Sequence, residues 1–151
     1  MTPPETFVLD ERLARDCHRL GSFELSLLLL MNDCRYPWFI LVPQRPDLRE
    51  IYELYDDDRR QLLHESCALG QALMTVFGGD KLNVAALGNV VPQLHVHHVV
   101  RHRGDAAWPA PVWGKGAPQA YSDRELRECL ARMAPHWPSG FRAEPLIVGA
   151  P

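Results

Sequence analysis

No run in this chain is long and apolar enough to cross a bilayer. The longest aliphatic stretch, Leu27 to Met31, falls far short of the ~20 residues that a spanning helix needs. The opening Met-Thr-Pro-Pro-Glu-Thr lacks the basic and apolar segments of a secretory leader. Positive charge is not in excess: 16 Lys and Arg stand against 19 Asp and Glu, for a net charge of −3. Such a balance gives no electrostatic case for binding long nucleic acid, whose phosphates demand a basic face. No Cys-x-x-Cys pair occurs, and the four cysteines at 17, 34, 67 and 129 are widely spaced. That spacing points to free thiols in a reducing compartment, so a cytoplasmic location and no membrane association are expected. No internal repeat, low-complexity segment or clear domain boundary appears.

What remains reads as one globular domain over 1–151, with 46% apolar and 23% charged residues. The spacing of Leu9, Leu13 and Cys17 predicts a short helix over 10–20, stopped by Gly21. Residues 22–32 and 38–42, separated by an Asp-Cys-Arg-Tyr-Pro turn, predict an antiparallel hairpin buried on both faces. Leu62, Leu69, Leu73 and Val76 predict a long helix over 56–77, with acidic Asp56 to Asp58 at its start and Gly78-Gly79 at its end. A third strand is predicted over 81–87, and the turn-like residues 88–92 lead into the next. Beyond 106 the chain is a Trp- and Pro-rich tail, with a capping box Ser122-x-x-Glu125 opening a helix to about Met133. The sum is an α+β fold: an antiparallel sheet of about five strands, one long helix packed on it, and short helices near the ends.

The most informative residues are Gln93-Leu-His-Val-His-His-Val-Val100. In a strand, alternate side chains share a face, so Gln93, His95, His97 and Arg101 form one polar row. Leu94, Val96, His98 and Val100 belong to the opposite, core-facing side, which removes His98 from the row. From spacing alone, three readings stay open. His95 and His97 bind a metal, or they act on phosphorus as nucleophile and charge stabiliser, or they are incidental. Gln93 is a poor third ligand, and no carboxylate joins it on that face. Arg101 is read as structural or at the rim, being distant from His95 along the strand. Trp108 and Trp113 are read as packing of the tail, with stacking on a purine as the other option.

The motif resembles that of the histidine triad superfamily, His-x-His-x-His with apolar residues between. Gly88-Asn89 lies where the family has Gly-Gln, and His97 to Asp105 resembles its His-x-x-x-Arg-x-x-Gly-Asp continuation. Met31-Asn-Asp followed by Phe39-Ile-Leu-Val-Pro43 is similar to the family's nucleotide-pocket hairpin. The resemblance spans about 22–105 and departs at its first position, where Gln93 replaces histidine. It implies a nucleotide hydrolase or nucleotidyl transferase acting at the α-phosphate of dinucleoside polyphosphates or related conjugates. His95 would be the nucleophile, His97 a donor to the phosphate and Gln93 an amide donor that cannot shuttle a proton. Asn32 would touch the ribose, with Asn83, Gly88 and Asn89 at the phosphates. No metal or cofactor is implied, and a homodimer is. The alternatives are a nucleotide-binding module with little turnover and a metal-binding protein using His95 and His97.

Overall fold

The computed structural model describes residues 6–146; residues 1–5, at the chain start read above as carrying no leader, and 147–151 at the end of the tail lie outside the described residues. Among the described residues the strands are β1 (Cys17–Ser22), β2 (Ser26–Met31), β3 (Trp38–Pro43), β4 (Lys81–Ala85), β5 (Val96–Arg101) and β6 (Arg142–Ala143). They form one sheet in the order β4-β5-β3-β2-β1-β6, every neighbouring pair antiparallel. The α-helices are α1 (Glu11–Asp16), α2 (Asp56–Phe77) and α3 (Asp123–Met133). This is the α+β architecture expected, with six strands rather than five.

The two central strands, β2 and β3, are apolar almost throughout because both of their faces are covered. Leu28, Leu30, Phe39, Leu41, Val96 and Val100 face the helices α2 and α3. Leu27, Leu29, Trp38, Ile40 and Val99 face the other way, where Leu13 of α1 and Ala107 and Val112 of the tail cover them. The sheet therefore has a helix side and a front side, and the polar row of β5 opens on the front.

The helix α2 has the bounds that its leucine spacing predicts. Its C-cap, Gly78, has φ 61°, and its N–H reaches the Met74 carbonyl at 3.0 Å. That left-handed cap suits glycine, which has no Cβ to clash. Midway along α2 the carboxylate of Glu65 is buried, 2% exposed. It accepts the N–H groups of Leu25 and Ser26 at 2.9 and 3.0 Å and the amide of Gln61 at 2.7 Å. A buried carboxylate is stable only when its oxygens are satisfied in this way. Glu65 thereby pins α2 to the turn between β1 and β2.

The N-terminal third departs from the sequence expectation. Only 11–16 are helical, and 17–22 form β1 in place of the helix's second half. The apolar spacing of Leu9, Leu13 and Cys17 fits either course. Pairing with β2 decides it, from Cys17 with Met31 to Ser22 with Leu27. Gly21 is then no helix stop. It lies at a bulge in β1, so close to β6 that a side chain there would collide with the Arg142 carbonyl. The strand expected over 22–32 starts only at Ser26, because Phe23 to Leu25 make the β1–β2 turn. Similarly, β4 ends at Ala85 rather than 87.

Candidate active site

β5 lies between β3 and β4, and its register sets His97 beside Ile40 on one side and Ala85 on the other. His95 precedes the first residue of β5, yet its ring stays on the same side. The two ring centroids are 4.8 Å apart and inclined at 68°. His98 turns to the helix side, as alternation requires. There its Nδ1 lies 3.1 Å from the Val96 carbonyl and its Nε2 2.7 Å from the hydroxyl of Ser66 on α2. Burial pushes His98 down to about 4 from its ordinary 6.5, so it is a neutral core histidine.

Hydrogen bonds fix which nitrogen each site histidine leaves free. The Nδ1 of His95 lies 2.7 Å from the main-chain carbonyl of Gln93. A carbonyl only accepts, so this nitrogen carries the proton and Nε2 of the neutral ring holds a lone pair. His97 is arranged the other way round. The indole Nε1–H of Trp38 donates to its Nδ1 at 2.9 Å. An indole N–H only donates, so the proton of neutral His97 is on Nε2. Burial, then the charges of His95 and His98, hold His97 down at about 3. The ring of Trp113 stands edge-on to His97 at 5.2 Å and to Trp38 at 5.8 Å, closing an aromatic cage.

The side chain of Gln93 is taken up by backbone groups. The residue precedes β5, and its side-chain amide is engaged at both ends. Nε2 donates to the Val8 carbonyl at 2.8 Å, and Oε1 accepts from the Asp10 N–H at 2.9 Å. Its amide therefore ties the N-terminal segment to the loop that carries His95. Asp10 is held below the usual carboxylate range by the side chain of Arg12. A cavity of about 660 Å³ opens beside Gln93, walled by Asp10, Arg12, Asp47 and Arg49.

The other expected site residues are only partly gathered here. Asn32 follows β2, and its side-chain oxygen accepts the N–H of Tyr121 at 2.9 Å, near the start of α3. Asn83 shares the front face, but its oxygen accepts from Arg101 at 2.9 Å. Arg101 is 2% exposed and also clasps both oxygens of Asp105, so it is the structural residue expected. Gly88 has φ 77° in the loop running toward His95, and Asn89 beside it is exposed. Trp108 packs on Arg101, 5.7 Å from its guanidinium, and takes no part in the cage. Among the described residues no three His, Cys, Asp or Glu side chains gather as a metal site would require. Sequence reasoning missed Trp38. The available signal was an indole at the head of an apolar strand, since a buried indole N–H needs an acceptor.

The model of the HIT domain matches residues 12–104. The chain belongs to the histidine triad family. A histidine triad protein from Marinobacter aquaeolei VT8 is 53% identical, with 87% of this chain and 96% of that one aligned at a TM-score of 0.85. Histidine triad proteins from Sinorhizobium meliloti 1021 and Bradyrhizobium japonicum are 45% and 42% identical. Each aligns over 87% of this chain and 98% of its own length, at a TM-score of 0.85. No curated protein matches the chain. Membership places it among nucleotide-binding hydrolases and transferases. In this histidine triad protein the motif reads Gln93, His95, His97.

Proposed function

We propose that the protein is a nucleotide hydrolase or nucleotidyl transferase working through a nucleotidyl-histidine intermediate, with dinucleoside polyphosphates or related conjugates as substrates. The observation that carries this reading is the pair of opposite tautomers: His95 keeps a lone pair on Nε2 and its neighbour keeps a proton there. One ring is set to attack phosphorus and the other to donate to an oxygen that gains charge.

In the first step Nε2 of His95 bonds to the α-phosphorus. The bond to the bridging oxygen breaks, and the leaving group departs with its electron pair. The positive charge left on the ring is stabilised by the Nδ1–H bond to the Gln93 carbonyl. His97 donates from Nε2 to a non-bridging oxygen as charge builds there. Water then attacks phosphorus, the P–N bond breaks with its electron pair returning to Nε2, and the surplus proton of the water passes to solvent as the nucleoside monophosphate leaves. Gly88 and Asn89 offer a turn and an exposed amide to the phosphates.

The test is turnover of a panel of dinucleoside polyphosphates and nucleoside phosphoramidates. Wild-type protein is expected to release a nucleoside monophosphate. His95→Ala is expected to bind nucleotide without turnover, and His97→Ala to lose about 10²–10³-fold in kcat, as loss of a transition-state donor does. Full activity of His95→Ala would overturn the covalent reading. Binding without turnover by the wild type would favour a nucleotide-binding module.

A further inference from the structure

We infer that Trp38 is a positioning residue that fixes the tautomer of His97 and keeps its Nε2–H as the donor. The inference rests on the role proposed for His97 but not on the identity of the substrate. Trp38 opens β3 on the front face, two residues before Ile40, the partner of His97. Its indole N–H lies 2.9 Å from Nδ1 of His97, and both side chains are buried. A nitrogen that accepts an indole N–H cannot hold a proton of its own. Protonating His97 therefore means breaking this bond inside a cage where the broken donor has no water to turn to.

The groups around His97 give it no reason to charge. His95 is beside it and His98 lies behind the sheet, and a positive charge on either opposes a second one. Trp38 and Trp113 carry no charge, and neither does Ala85 opposite on β4. Tyr36 meets Trp38 edge-on at 6.3 Å and so backs the indole from the far side. The lock has a chemical consequence. His97 supplies a hydrogen bond at every working pH and never a proton. With the Gln93 amide also engaged, neither residue assists the leaving group as an acid, which favours anionic phosphate leaving groups over amines.

The experiment is ¹⁵N NMR of the imidazoles in the wild type and in Trp38→Phe, which keeps the aromatic ring and removes the donor. In wild-type protein, His97 is expected to show a protonated Nε2 and an unprotonated, hydrogen-bonded Nδ1, unchanged from pH 8 to pH 5. In Trp38→Phe, the ring is expected to populate the Nδ1–H tautomer. Turnover should then fall about three- to tenfold in kcat with little change in KM, the range set by one neutral hydrogen bond. An Nδ1–H tautomer in the wild type, or an unchanged tautomer in Trp38→Phe, would overturn the lock. The spectra need no substrate. Expected spectra without turnover of any nucleotide would support the lock and contradict the functional reading.

Discussion

Among single residues, Gln93 separates two accounts of the site most sharply. Its position in the motif assigns it to the leaving group, whereas its amide holds the Val8 carbonyl and the Asp10 N–H. An imidazole at 93 cannot satisfy both backbone groups with the same reach. Gln93→His is therefore expected to lower stability by about 1–2 kcal/mol, the worth of one or two hydrogen bonds, in denaturant titration. It should give no selective gain on phosphoramidates, in paired kinetics against phosphoanhydrides. A selective gain at unchanged stability would return Gln93 to the leaving group. The buried histidines make a second prediction at this scale. His97 and His98 sit at about 3 and about 4 in the folded protein, against an ordinary 6.5. Between pH 6.5 and 4 the unfolded chain takes up protons on them that the folded protein refuses, so stability rises with pH across that window and is lost as pH falls through it. Melting temperature should be level above about pH 6.5 and should decline steadily toward pH 4, with a shallower decline in His98→Val. A level melting temperature down to pH 4 would contradict the burial of both neutral rings.

Among elements, α2 and the β2–β3 pair were legible in the sequence because one pattern dominates each. Leucines at helical spacing between acidic residues and Gly78-Gly79 leave α2 no other course, and unbroken apolar runs leave β2 and β3 no exposed face. β1 was not legible. Its six residues are polar and apolar in no strict alternation, and only the open edge of β2 makes them a strand. The site divides in the same way. Period-two alternation on β5 places His97 on the front and His98 behind, since both belong to one strand. The partners of those rings, Trp38, Ser66 and the Gln93 carbonyl, come from sequence separations that no local pattern encodes. The end of β5 yields another test. Arg101 is held by both oxygens of Asp105. Burial alone would raise the Asp105 carboxyl, but Arg101 and the N–H groups of His102, Ala107 and Trp108 overcome it and hold it at about 2. Removing one partner of a buried pair leaves the other charge uncompensated. Asp105→Asn is expected to cost about 3–5 kcal/mol in chemical denaturation, and a loss below about 1 kcal/mol would show that Arg101 finds another acceptor.

At the scale of the whole molecule, the sheet divides its labour between two faces. The helix side carries the larger apolar core, and the front carries the site under a cover drawn from both chain ends, Leu13 on one hand and Ala107, Val112 and Trp113 on the other. A histidine pair so enclosed, with His95 7% and His97 5% exposed, suits the proposed chemistry, which must keep water away from the first displacement and admit it to the second. Two displacements leave a signature that one does not. The measurement is the stereochemical course at the α-phosphorus, followed with a dinucleoside polyphosphate made chiral there by sulfur and a heavy oxygen isotope. Attack by His95 and then by water inverts phosphorus twice, so the account predicts net retention of configuration. Net inversion would mean that water attacks directly, and would contradict the nucleotidyl-histidine intermediate.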